Sequence, residues 1–212
     1  MMPRYNTHPE DYRIDEAIAR KVWQQSKGDI DRALVGVLWR FQPREGELVR
    51  VQREWMSWGN DYIQIRFPTL KLRKGGAFKT KERLLGYARG TGEAYDIFLE
   101  SIIAWAQQVP PGMLLFPHKE GWVYKRIAKL TLDALGTQLT PYHFRHWGFN
   151  YLNEFYGVSE NQLAYWKGGT VSSVRAYMHA VPMSIGIRDG KRILVHGFIP
   201  GAPKPEESNV QP

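Results

Sequence analysis

Four short segments of this chain carry side chains suited to handling a phosphate-sized anion. The first is Thr140-Pro141-Tyr142-His143-Phe144-Arg145-His146. At about 100° per residue, Tyr142, Arg145, His146 and Phe149 fall on one face of a helix, and Phe144, Trp147, Tyr151, Leu152 and Phe155 on the opposite, core-facing one. The first turn of such a helix also offers unpaired N–H groups and the positive end of the helix dipole, which together attract anions. Read alone, the segment is equally an ordinary amphipathic helix with a polar face. In the second segment, Arg44 and Glu47 are three residues apart on a helix, where the carboxylate can hold the guanidinium in place. The third, Thr69 to Arg83, brackets a Gly75-Gly76 turn with Lys71, Lys74, Lys79 and Lys81. Flexible lysines at such a tip can reach into a groove, although a charge run is usually a solvated face. The fourth, Ser172 to His179, carries Tyr177 close behind Trp166-Lys167-Gly168-Gly169. A tyrosine near the end of a short helix is most often a packed residue with a wet hydroxyl.

Arginine suits phosphate because its planar fork bonds two oxygens at once and stays charged. The sequence has no carboxylate cluster suited to Mg²⁺ and no P-loop. Cysteine is absent, which removes disulfides, thiolate catalysis and Cys-ligated zinc.

These groups must be positioned by a chain of 212 residues, one large domain or two small ones. Hydrophobic residues at 43% and charged residues at 24% give a globular composition, and eight tryptophans supply bulk for a core. No stretch approaches the ~18 apolar residues of a spanning helix, and no signal-peptide core is visible, so a cytoplasmic protein without a membrane partner is expected. A formal charge of +8 favours polyanions such as nucleic acid or an anionic membrane surface, with plain solubility as the bland alternative.

The periodicity is mostly helical. A first helix is expected from Asp15, its cap, to Gln25, and a second from Asp29 or Asp31 with Leu34, Val37, Leu38 and Phe41 inward. A third opens at Pro43 with Leu48, Val51 and Trp55 as its apolar side. The pattern then alternates over Tyr62–Phe67 and Arg83–Tyr87, the two arms of a hairpin. Helices follow from Glu93 to Gln108, from Trp122 to Leu135 with Gly136 as the stop, and from Thr140-Pro141. Ser159 with Gln162 caps a short helix, and another spans Ser172 to His179. Asp189-Gly190 turns a C-terminal hairpin. The result is an α+β fold with a dominant helical layer and one small antiparallel β-sheet.

Taken in this order, the segments resemble the catalytic domain of the tyrosine recombinase (phage integrase) family over roughly residues 28–180. The family order is a helix with Arg-x-x-Glu, a β-hairpin lysine, Thr-Pro-His-x-x-Arg-His, Leu-Gly-His, then the nucleophilic tyrosine. The resemblance implies that Arg44 and Arg145 hold the non-bridging phosphate oxygens, that Lys71 (or Lys74) protonates the leaving 5′-oxygen, and that Tyr177 forms a 3′-phosphotyrosine. Tyr142 and Lys167 would assist by hydrogen bonding, and Lys74, Lys79, Lys81 and His146 would contact DNA. It further implies a mostly helical α+β domain, double-stranded DNA as partner, a dimer or tetramer on that DNA, a nucleoid location, and no metal, ATP or other cofactor.

Three departures qualify it. Tyr142 stands where the family has the histidine of His-x-x-Arg, and His143 is one place too late to share that face. The later histidine position falls on Gly168, where Lys167 or Trp166 could occupy the vacated space as a donor. The chain also begins almost at the catalytic domain, without the helical DNA-binding domain that usually precedes it. The expected organisation is a loose arm over 1–12, the catalytic domain over 13–200 with its hairpin at 185–199, and a disordered tail over 201–212. The competing readings are a non-catalytic DNA-binding protein that keeps the fold, a type IB topoisomerase-like enzyme, and a general basic interaction module.

Overall fold

A computed structural model describes residues 9–69, 81–158, 160–166, 183–188 and 191–196. Helix α1 (Glu16–Gln25) starts where Asp15 accepts the N–H of Ile18 at 2.9 Å. The side chain thereby satisfies one of the donors that every helix start leaves open. Helix α2 (Asp29–Arg40) places Leu34, Val37 and Leu38 in the core, with Phe41 just beyond its end. Its last residue is fixed from three sides. The Arg40 guanidinium meets Glu16 of α1 at 2.6 Å and Asp96 at 2.9 Å, and its carbonyl accepts the Tyr87 hydroxyl. Burial disfavours the Arg40 charge, but the carboxylates of Asp96 and Glu16 more than restore it. Asp96 also caps helix α4 (Ile97–Gln108) by accepting from the N–H groups of Phe98 and Leu99. The chain therefore leaves α2 from a rigid point.

The helix expected from Pro43 to Trp55 is a single turn, α3 (Glu45–Leu48). It stops because the following residues pair with the Met113–Leu115 segment. Arg53 N–H donates to the Met113 carbonyl and Leu115 N–H to the Val51 carbonyl, each at 2.8 Å, and backbone bonds used sideways cannot also serve a helix. A 3₁₀ turn over Arg53–Trp55 leads into a strand that periodicity did not reveal, β1 (Met56–Trp58). Strands β2 (Tyr62–Thr69) and β3 (Lys81–Ala88) form the expected hairpin, with Ile63 opposite Tyr87 and Phe67 opposite Arg83. Its Gly75-Gly76 turn lies outside the described residues.

Helix α4 begins four residues later than Glu93, after a 3₁₀ turn over Gly92–Ala94. Helix α5 (Glu120–Leu135) ends at Gly136, whose φ of 74° is left-handed backbone that glycine adopts without a side-chain clash. Helix α6 (Pro141–Tyr156) starts at Thr140 with Pro141 in its first turn, and α7 (Glu160–Trp166) follows. Strands β4 (Met183–Arg188) and β5 (Lys191–His196) pair antiparallel. The three antiparallel strands β1–β2–β3 are then extended by β4, which lies parallel to β3 with Tyr87 opposite Ile185. That parallel pairing is non-local and has no signature in the periodicity. Helices predominate and the strands form one small sheet, the expected α+β class.

Candidate functional site

Arg44 is the residue from which α3 starts, not a residue within it. Its backbone is extended, and its N–H donates to the Glu47 carboxylate at 2.8 Å. Its guanidinium reaches the other carboxylate oxygen at 3.0 Å. The single turn is thus a clamp in which Glu47, fully buried, holds a half-exposed Arg44 by both backbone and side chain. Glu47 is shared. From β3, the buried Arg83 bonds it at 2.8 Å. Burial pushes the Glu47 carboxyl up, but the hydrogen bond and charge of Arg83, the Arg44 N–H and the charge of Arg145 together hold it below its ordinary range.

Arg145 comes to the same place from α6. It is buried, lies over the Phe149 ring at 4.8 Å and donates through Nη1 to the Gln42 carbonyl. Burial first, and then the positive charge of Arg44, bring its pKa down to about 9; Glu47 opposes this and Arg83 adds to it. Arg44 is the largest charge influence on Arg145. Two guanidiniums far apart in sequence therefore converge: Arg145 bonds the Gln42 carbonyl two residues before Arg44, and it feels the charges of Arg44, Glu47, Arg83 and Glu45. Three cations against the carboxylates of Glu47 and, more weakly, Glu45 leave the cluster net positive, and an anion bound there would relieve the repulsion.

Arg83 is a buried member of this cluster that the sequence places only on a strand. The signal was present, because period-two alternation puts Arg83 on the same inward face as Leu85 and Tyr87. A charged residue on that face calls for a buried partner.

Tyr142 is 54% exposed at the start of α6 and faces His146, ring to ring at 6.4 Å. His146 also meets Trp147 edge-on. His143 is buried, and its Nδ1 lies 3.2 Å from the Thr140 N–H and 2.9 Å from the Thr140 hydroxyl. That nitrogen is spent on the helix start. The supposed core face of α6 needs one correction: Phe155 is 62% exposed, because it lies in the last turn, beyond the elements that cover Phe144 and Leu152. Trp166 is fully buried edge-on against Tyr87, and its indole N–H has no hydrogen-bond partner among the described residues. Lys71, Lys74, Lys79, Lys167, Gly168 and Tyr177 lie outside the described residues, and of Lys81 only the backbone is described.

No family model and no curated protein sequence matches this chain. Solved structures do. A crystal structure of XerA recombinase shares 18% identity at a TM-score of 0.52, over 79% of this chain and 59% of that one. The XerH site-specific recombinase in pre-cleavage complex with its difH substrate shares 16% identity at 0.52, over 79% of this chain and 50% of its own. Its post-cleavage complex with palindromic difH gives 16% and 0.52, over 82% and 50%. This chain has a tyrosine recombinase-like fold. It spans between a half and three-fifths of those recombinase chains. Within that recombinase-like fold, no helix among the described residues is long and apolar enough to cross a membrane.

Proposed function

We propose that this chain is the catalytic domain of a site-specific recombinase that cleaves and rejoins duplex DNA. The observation that carries the proposal is the convergence of Arg44 and Arg145 around Glu47, in a fold shared with recombinases whose structures hold DNA substrates. In this reading the two guanidiniums hold the non-bridging oxygens of the scissile phosphate. Donors fixed in place before the reaction stabilise charge that develops at phosphorus, and losing one costs about 3–4 kcal/mol of transition-state stabilisation.

The Tyr177 phenol gives its proton to solvent and its oxygen attacks phosphorus. The bond to the 5′-oxygen breaks, Lys71 or Lys74 protonates that oxygen, and a 3′-phosphotyrosine diester remains. A 5′-hydroxyl from another strand reverses the step, so the energy of the broken bond is kept and no ATP is consumed. Tyr142 supports the reading by its exposure beside His146. Lys167 or the Trp166 N–H, which has no partner among the described residues, serves as the second donor. Lys74, Lys79, Lys81 and the +8 charge bind the DNA backbone, with two or four copies assembled on the duplex.

A second reading is favoured by one observation. His143 is committed to the Thr140 cap, and Tyr142 occupies the family histidine position, which fits a non-catalytic DNA-binding protein. Incubation with a suicide DNA substrate separates the two. The recombinase reading expects a covalent protein–DNA band that disappears in Tyr177→Phe. A band that persists in Tyr177→Phe moves the nucleophile elsewhere, and tight DNA binding with no band supports the accessory protein. Relaxation of supercoiled plasmid without strand exchange would mark a topoisomerase-like enzyme.

A further inference from the structure

The segment joining α2 to α3 contains the one residue other than glycine with left-handed backbone among the described residues: Gln42, at φ 47°. A side chain disfavours that conformation, and Gln42 is buried as well, with its Oε1 lacking a hydrogen-bond partner among the described residues. A residue kept in such a state is held by its surroundings, and those surroundings are specific. Its amide nitrogen donates to the Trp39 carbonyl. Its side chain fills a notch on α6 that exists because residue 148 is glycine. A Cβ at Gly148 would stand 2.6 Å from Gln42 Cγ and 2.8 Å from Nε2. The carbonyl that this backbone turn presents accepts Nη1 of Arg145, one turn before Gly148 on the same helix.

We propose that Gln42 is a positioning residue: its left-handed backbone, seated in the notch at Gly148, turns its carbonyl onto Arg145 and sets the direction in which that guanidinium faces the anion. The part of this claim that concerns DNA cleavage rests on the recombinase reading; the part that concerns the aim of Arg145 does not. The same strap carries Pro43 and Arg44 immediately afterwards. One backbone turn therefore sets both arginines: it starts α3 at Arg44 and orients Arg145 across from it.

The test uses the full chain with Gly148→Ala, Gln42→Gly, Gln42→Val and the double variant Gln42→Gly/Gly148→Ala. Thermal unfolding monitors the fold. The Nη1–H signal of Arg145, assigned by its loss in Arg145→Lys, reports the aim of the guanidinium through its protection from exchange in the bond to the Gln42 carbonyl. The suicide-substrate band and the DNA Kd report function. Gly148→Ala is expected to unfold cooperatively yet lose the protected Arg145 signal, and its adduct formation should fall about 10²-fold, as small misplacements of catalytic groups do, with Kd unchanged. The double variant should recover both signal and adduct, because glycine at 42 keeps the carbonyl and removes the clash.

Gln42→Gly and Gln42→Val lose the same amide. Glycine adopts φ 47° freely and β-branched valine is strongly disfavoured there, so the Arg145 signal should survive in the first and vanish in the second. This pair decides the matter if Gly148→Ala fails to fold. An unchanged Arg145 signal in Gly148→Ala, no recovery in the double variant, or equal behaviour of Gln42→Gly and Gln42→Val overturns the proposal. If the wild type forms no adduct while the signals follow the expected pattern, the recombinase reading fails and the positioning role stands.

Discussion

Replacing Arg145 by methionine should make the protein more stable and abolish its DNA chemistry. An arginine ordinarily titrates above about 12; holding one charged where it titrates at about 9 costs the fold on the order of 4 kcal/mol at neutral pH. The causes are burial and the like charge of Arg44. Methionine removes that cost and fills a similar volume beside Phe149. It also removes the bond to the Gln42 carbonyl, about 1.5–3 kcal/mol for a charged donor, and the ring contact with Phe149, about 0.5–1 kcal/mol. The net is a gain of about 0–2 kcal/mol in urea unfolding at pH 7.

The pH dependence carries the sign. A cation whose pKa is depressed by folding costs stability in full below the folded value. That cost fades as pH rises from about 9 towards the unfolded value, where only the unfolded chain still holds the proton. The methionine variant should therefore lead at pH 7 and lose its lead above pH 9, measured as the difference between the two proteins so that other groups cancel. Inorganic phosphate should stabilise the wild type more than the variant. A variant less stable than wild type at pH 7, or a difference that stays flat to pH 11, would refute the account of a strained, anion-seeking arginine.

Glu47→Gln should be strongly destabilising, by about 3–5 kcal/mol in the same urea assay, because it removes the buried carboxylate that pairs with both Arg83 and Arg44. Its acid limb should also change: the lowered Glu47 pKa gives stability that is present above the unfolded carboxylate value and lost as pH falls through the folded one, and the amide lacks that loss. Changing Lys71, Lys74, Lys79 and Lys81 together to alanine should weaken DNA binding across sequences and flatten the salt slope of log K by up to about 3–4, read from filter binding or anisotropy. Asp15→Ala should cost about 1 kcal/mol through loss of the α1 cap, with no change in DNA cleavage per folded molecule.

Helices α1, α2, α5 and α6 and the β2–β3 hairpin could be read in advance, because each announces itself locally. Asp15, Thr140-Pro141 and Gly136 mark helix ends, Leu34, Val37 and Leu38 recur at helical spacing, and Tyr62–Phe67 alternates. The Arg44–Glu47 pairing was legible for the same reason, since residues three apart at a helix start are neighbours. What the linear pattern hid was non-local. Backbone pairing with Met113–Leu115 cut the third helix to one turn. Strand β4 joined β3 in parallel. Arg83 crossed from the sheet to Glu47, and His143 turned inward to its own helix start.

The types of the chemical groups, the helix start at Thr140-Pro141 that carries Arg145 and the i, i+3 pairing of Arg44 with Glu47 are properties of the sequence alone. Local propensity, capping and periodicity act over a few residues and can be summed by eye. Whether those two arginines would share one electropositive centre depended on how α2, α6 and β3 close on one another. Burial and charge repulsion exist only after that closure. The left-handed turn at Gln42 belongs to the same category, since nothing in its neighbours along the chain demands it; a missing side chain at Gly148 and a guanidinium from another helix do.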